Sequence, residues 1–572
     1  MGLSEFLAAA NAVIWHEFVL YCILGVCVVF TLWSGFAQYY ALTHGSAVLL
    51  GRYDDSNDPG AINHFQALTA ALSGTVGLGN IGGVSLAIAL GGPGAMFWMW
   101  TVAILGMSVK LASVTLSMLF RNTDDPDNPH GGPMYVVAHG LGRAFPSFAG
   151  AGKWLGGLFC VAMLISMTTG GNMFQAWNVG TITESYFGIP SWLCGTILAA
   201  IIGFVIIGGI SRIGQVTSIL VPGMVAMYLL VAIYVVIVNI KDVPAMLGLM
   251  FTSAFSPQQA EGAFIGGTMG YAFMIGMKRA IFSNEVGQGS SPIVHAAAKT
   301  DEPVREGLVG GLEPFIDTII VCTLTALVIL STGVWNRAPD NAMVAGDYAF
   351  SQTADGSWQL PSTELTNIPT TPDAAVFAIV AGDPSTLTGN NLHKLAGTVR
   401  LDGERYVVDW APLVSSVEPQ LTNTDTYTTY IGATLTAHAF DTIQPGLGKY
   451  LITLATWLFA ISTMIAWAYY GEQCIVFMFG ESKVMAFKLL YCAIALIATL
   501  GWIRTDADLD NMAGVGTGVM VIVHVPILCL FAAVAMRVYK EYRSRLRSGA
   551  VANAEPAPSI DTLLKIGFNE DR

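Results

Sequence analysis

Residues Leu72 to Gly94 read LSGTVGLGNIGGVSLAIALGGPG, a run whose residue types could hold both a carboxylate and a small cation. Four glycines in seven positions (Gly77, Gly79, Gly82, Gly83), beside Thr75 and Asn80, disfavour an unbroken helix. An unwound turn there would expose backbone N–H groups, which attract anions, and C=O groups, which attract cations. The stretch Gly77-Leu78-Gly79-Asn80-Ile81-Gly82 formally matches the dinucleotide fingerprint. That fingerprint needs a preceding strand within a βαβ unit, and here it sits in an apolar span, so the reading fails. Close helix packing through small residues is the plainer alternative. A second interruption is expected at Gly266-Gly267-Thr268-Met269-Gly270, midway along a later span. Two glycine-interrupted spans point to a transport site near the membrane midplane.

Further polar residues lie within apolar stretches. Asp317, in FIDTIIVCTLTALVIL, is a functional candidate because a carboxylate in lipid is costly; the alternative is a buried pair with a neighbouring helix. Asn172 and Gln175 are one turn apart and share a helix face, as substrate ligands or as interhelical hydrogen bonds. Ser462 and Thr463 offer two adjacent hydroxyls. Such hydroxyls often bond back to their own helix, so a cation site would need oxygens from a second one. Lys110, near the inner end of its span, is expected to snorkel to the interface.

What positions these residues follows from composition. Of 572 residues, 53% are hydrophobic and 11% charged, against about 25% charged in soluble domains. One soluble core cannot absorb that excess, so lipid must be the solvent for most of the surface. Apolar runs long enough to cross the bilayer fall near 16–36, 65–90, 95–120, 154–178, 191–210, 215–240, 262–282, 306–332, 448–470, 485–503 and 511–537, about eleven helical spans. Arg52, Arg121, Arg143, Lys153, Arg212, Lys278, Arg279, Lys299, Arg305, Lys483 and Lys488 fall on one side of this arrangement. Arg537, Lys540, Arg543, Arg545 and Arg547 follow the last span on that same side, while the opposite short loops offer little beyond Lys241, Lys449 and Arg504. The positive-inside rule then places the C-terminus in the cytoplasm and the N-terminus outside. Residues 1–335 carry spans one to eight, 431–537 the last three, and 538–572 a cytoplasmic tail. Between them, 336–430 is polar and acidic, and TVRLDGERYVV (Thr398–Val408) predicts a hairpin around Asp402-Gly403, hence a small β-containing extracytoplasmic insertion.

All eight cysteines lie in apolar segments, so no disulfide framework is indicated, and the N-terminus shows no signal peptide. The net charge of −13 argues against nucleic acid as a partner. No HExxH, GxSxG or Walker A pattern is present, which leaves neither hydrolytic chemistry nor ATP as a driver. An ion channel would call for repeated polar rings and a filter rather than one pair of broken spans.

GGPGAMFWMW (Gly91–Trp100), TVGLGNIGG, KRAIFSNEVGQGSSPIVHAAAKTDEPV (Lys278–Val304) and EGLVGGLEPFIDTIIVCTLTALVIL together resemble the alanine or glycine:cation symporter family. The resemblance implies an all-α, LeuT-like fold of two inverted five-helix repeats behind one extra N-terminal helix, in the cell inner membrane. It implies uptake of a small neutral amino acid coupled to sodium or, in some members, protons, with no cofactor and a monomer as the working unit. Glutamine is the alternative substrate. By the same resemblance, the carbonyls of Ser73 and Val76 and the hydroxyls of Ser462 and Thr463 hold sodium. Amides from Thr75 to Gly79 hold the substrate carboxylate, and Asn80, Asn172, Gln175 and Asp317 are further candidate ligands. Gly267, Thr268 and Met269 form the opposite wall. Two departures stand out: Ser113 occupies a position one turn after Lys110 where an acidic partner is expected, and the long insertion is not a typical family feature.

Overall fold

The computed structural model describes residues 3–570 except 56, 347, 368–373, 431, 502–505, 552 and 554, and the expected basic residue Arg504 lies outside the described residues. Seven helices among these are long and apolar enough to cross a membrane, and a bent pair, His64–Thr75 with Gly79–Gly91, makes an eighth. The helix Ser191–Ile206 is a shorter apolar element, and it and the helices Met269–Asn284 and Val484–Ile497 lie at the positions of three further expected spans.

The first broken span begins at a capping box: the Asn63 side chain accepts from the Gln66 amide at 2.8 Å, and the Gln66 side chain accepts from the Asn63 amide at 3.1 Å. Its regular helix stops at Thr75, where Val76 turns to ψ 88°, and a π-helical segment Gly79–Gly83 resumes it with a bend of 52°. A side chain at Gly77 would crowd this turn. A Cβ there would lie 2.5 Å from the Thr463 hydroxyl on the crossing helix Leu447–Phe479.

The second break is not where the glycine count placed it. Gly266 and Gly267 belong to an irregular segment ahead of the helix Met269–Asn284, which Thr268 caps by accepting from the Tyr271 amide at 3.1 Å. The helix instead ends in the motif Asn284-Glu285-Val286-Gly287-Gln288-Gly289, where Glu285, Gly287 and Gly289 all have positive φ, and resumes only at Ser291–His295. Three left-handed residues in five cannot be helical. The apparent span at 262–282 is thus shifted toward the C-terminus, and its break lies at its inner end. The last expected span also differs: its helix ends at Leu530, and Phe531 separates it from a basic helix Ala532–Ser548.

Strands β1 (Asn341–Ala342), β2 (Ser351–Gln352), β3 (Trp358–Gln359), β4 (Thr363–Glu364), β5 (Ala375–Ala381), β6 (Leu392–Asp402), β7 (Arg405–Trp410) and β8 (Gln420–Thr428) occupy the insertion. Six form an antiparallel sheet in the order β1-β8-β5-β6-β7-β4, and β2 pairs with β3. Its own core includes Val376, Ala378, Val380, Leu395, Val399, Val408 and Trp410. The predicted hairpin is β6–β7. Asp402 pairs with Arg405, so the turn is Gly403-Glu404, with Gly403 at φ +64°, one residue beyond the expected Asp402-Gly403.

Candidate functional site

The two breaks meet at a pocket in the transmembrane body. The first contributes Gly74, Thr75, Gly77, Leu78 and Gly79; the second contributes Phe282, Glu285 and Gln288; Gln175, Thr463, Trp467 and Thr517 close the remaining sides. Buried polar atoms are hydrogen-bonded in the great majority of cases. Here the Thr463 hydroxyl, the Gln175 side-chain carbonyl and the Gln288 side-chain carbonyl are buried with no partner among the described residues. Gln175 is held in place by donating to the Gly170 carbonyl at 3.1 Å, and Gln288 by donating to the Ile281 carbonyl at 2.7 Å. Each therefore keeps its oxygen free. Glu285 adds a carboxylate that accepts from the Ser290 hydroxyl. The lining offers a ligand both these free oxygens and the unwound backbone of Gly77 to Gly79.

Behind Thr463 the crossing helix meets the first broken span. The Ser73 hydroxyl donates to the Ser462 carbonyl at 2.6 Å and lies 2.8 Å from the Ser462 hydroxyl. Ser73, Val76, Ser462 and Thr463 are all buried, the first two at the end of the helix His64–Thr75 and the last two on the crossing helix.

Asn80 and Asp317 are buried but do not line the pocket. The Asn80 side chain accepts from the Gly77 amide at 2.8 Å and donates to an Asp317 carboxylate oxygen at 2.6 Å. Asp317 accepts further from the Ser283 hydroxyl at 2.9 Å and the Thr318 hydroxyl at 2.7 Å. Asp317 thereby ties the turn of the first break to the end of the helix leading to the second. Asn172 donates to the Tyr491 carbonyl at 2.9 Å, an interhelical bond away from the pocket. Gly267, Thr268 and Met269 also lie elsewhere. Thr268 donates through its amide and its hydroxyl, each at 3.0 Å, to the Leu387 carbonyl of the insertion, and Met269 is 47% exposed. Their place in the wall is taken by Phe282, Glu285 and Gln288. In the sequence, Glu285 and Gln288 are polar residues interleaved with Gly287 and Gly289, just beyond the end of the expected span at 262–282.

Lys110 does not snorkel. It is 2% exposed and donates to Glu313 at 2.9 Å and to the Ser291 hydroxyl at 2.6 Å, while Ser113 bonds His524. The acidic partner missing at Ser113 is supplied by another helix.

The model of the sodium:alanine symporter family matches residues 1–365 and 413–556, leaving out the middle of the insertion. The sodium/alanine symporter AgcS of Methanococcus maripaludis is 32% identical over 97% of this chain and 100% of its own length. A putative sodium/proton-dependent alanine carrier protein of Bacillus subtilis, YrbD, is 31% identical over 96% of this chain and 94% of its own. The probable sodium/glutamine symporter GlnT of the same organism is 34% identical over 62% and 71%. Among solved structures, MhsT in complex with L-phenylalanine aligns at TM-score 0.49 and 12% identity over 84% of this chain and 92% of that one, too distant for any residue of its site to be carried over. A family match over most of the chain, with full-length relatives above 30% identity, decides the assignment: this multi-pass membrane protein belongs to the sodium:alanine symporter family.

Proposed function

We propose that the chain is a secondary active symporter that couples sodium influx to uptake of a small neutral amino acid, alanine or glycine, across the cell inner membrane. The observation that carries this reading is the set of unpartnered buried oxygens of Thr463, Gln175 and Gln288 around one unwound turn. A cation on one side of that turn and an amino acid on the other satisfy groups that are otherwise costly. Sodium takes the carbonyls of Ser73 and Val76 and the hydroxyls of Ser462 and Thr463, hard oxygens suited to a weakly held monovalent ion. The substrate carboxylate takes the amides of Leu78 and Gly79, since the Gly77 amide is already held by Asn80. The substrate ammonium faces Glu285 and the free oxygens of Gln175 and Gln288. Both ligands then stabilise the same broken conformation, and this shared element is the source of coupling.

The arrangement proposed is LeuT-like, about eleven spans with one helix ahead of two inverted repeats, an outer insertion at 336–430, the N-terminus outside, and one copy as the working unit. One sodium ion moving down 100 mV releases about 2.3 kcal/mol, and a tenfold gradient adds about 1.4 kcal/mol. Together these sustain roughly 500-fold accumulation of a zwitterion. The test is radiolabelled uptake into proteoliposomes across an amino-acid panel with and without a sodium gradient. Equal accumulation with potassium in place of sodium, at constant pH, overturns the sodium coupling.

A further inference from the structure

Behind the pocket, four buried residues form an unbroken hydrogen-bonded array. His64 Nδ1 and His295 Nδ1 each meet one oxygen of Glu306, and His295 Nε2 meets Glu313 at 2.8 Å. Each member is at most 1% exposed. Proton counting constrains the array. A neutral imidazole carries one N–H, yet His295 presents both nitrogens to carboxylates, and an ionised carboxylate only accepts. Three contacts need three protons, and two neutral histidines supply two. The array therefore holds one proton more than two neutral imidazoles and two carboxylates would. Over these four residues and Lys110, which pairs with Glu313, that extra proton brings the charge to zero.

We infer that His64, Glu306, His295 and Glu313 form a proton-binding site that exchanges with the cytoplasmic side and latches the inner ends of the two broken spans. His64 is the first residue of one broken span, His295 is the last of the other, and Glu306 on the helix Pro303–Gly310 bridges them. The exchange route is marked by the His64 Nε2 atom, which is buried without a hydrogen-bond partner and lies 3.9 Å from an oxygen of Asp54, whose side chain is 42% exposed. Binding takes one proton from water, and release returns it; no other bond changes. Other charged or titratable groups facing the array are Lys110 and Arg121, with Glu285 and Tyr470 toward Glu313. Losing the proton leaves a buried net negative charge, which loosens the inner latch. Its effect on transport rests on the symport reading, but the site itself does not.

The test uses the full-length protein in proteoliposomes with external pH fixed and internal pH varied. Occupancy of a one-proton site changes at most about tenfold per pH unit, and sodium-driven uptake is expected to slow by about fivefold or more as internal pH falls from about 8.5 to 6. The charge-balanced pair His295→Gln with Glu306→Gln removes the site and is expected to flatten the profile, whereas His64→Gln leaves both contacts of His295 in place and is expected to slow proton exchange while keeping the pH dependence. A second readout is the melting temperature in detergent against pH. A proton bound more tightly in the folded state than in the unfolded stabilises at low pH and is lost as pH rises, so the wild type is expected to lose stability with rising pH where the paired variant does not. A flat wild-type uptake profile, or one unchanged in the paired variant, overturns the inference. If nothing is transported under any condition, the symport reading fails, and identical melting profiles of wild type and paired variant then overturn the proton site on their own.

Discussion

At Thr463 a single hydroxyl faces the missing side chain of Gly77 and has no hydrogen-bond partner, so its removal costs the fold little and the proposed ion site much. Thr463→Val is expected to raise the sodium concentration needed for half-maximal uptake by about tenfold, roughly 1.4 kcal/mol of lost coordination, with substrate affinity at saturating sodium little changed. A titration showing normal sodium dependence but lost substrate binding would move the site elsewhere. The glycines of the same turn are not equivalent. Gly77→Ala places a Cβ 2.5 Å from that hydroxyl and is expected to abolish binding, whereas a Cβ at Gly83 meets nothing within 4 Å. Gly83→Ala should therefore bind and transport as the parent does. Binding assays on the membrane-inserted variants check this contrast, and equal tolerance at both positions would reduce the glycines to packing residues.

Between elements, the breaks are held by side chains that never reach the pocket. Asn80 spans from the Gly77 amide to Asp317, and Asp317 continues to Ser283 at the end of the helix before the second break. Asn80→Ala frees the amide and removes one of the carboxylate's donors. The expected result is a substrate affinity lower by about tenfold, the worth of one or two hydrogen bonds, with insertion unaffected; an unchanged affinity would show that the turn holds its shape without this tie. The Lys110–Glu313 pair joins two other helices in the same way. Lys110→Met leaves a carboxylate buried with only part of its compensation, a loss of about 3–5 kcal/mol for such pairs, and should lower the melting temperature in detergent markedly. Melting indistinguishable from the parent would place water, rather than the ammonium, as the partner that matters to Glu313.

For the molecule as a whole, the insertion is a second folded layer with its own core, resting on the segment ahead of the second broken span. Asn390 donates to the Ile265 carbonyl at 2.7 Å, Leu387 receives Thr268, and Phe377, Ile379 and Tyr427 pack on Ala263. None of these contacts reaches the pocket, and long surface insertions cost little in closure entropy. Replacing residues 336–430 by a short linker is expected to leave sodium-dependent uptake measurable in proteoliposomes, at a reduced rate because the approach to Met269 loses its support. Complete loss of uptake in a normally inserted protein would make the insertion part of the transport machinery.

What the sequence determined by itself was set by solvent and backbone chemistry. Lipid forbids charge, so the spans were legible from composition; glycine clustering at Gly77–Gly83 weakens a helix wherever it occurs, so the first break was legible too. The hairpin at Gly403 could be read because turn geometry is local. Tertiary structure alone decided the rest. The Gly266–Gly270 cluster and the Glu285–Gly289 motif are both glycine-rich, and only the chain path shows that the first lies under the insertion while the second lines the same pocket as Gly77. Asp317 and Asn80 were rightly singled out as buried polar residues, but whether they face a ligand or each other depends on helix rotation, which a period in one chain does not encode. The array of His64, Glu306, His295 and Glu313 joins residues up to 249 positions apart, and the proton it holds follows from which nitrogen meets which oxygen.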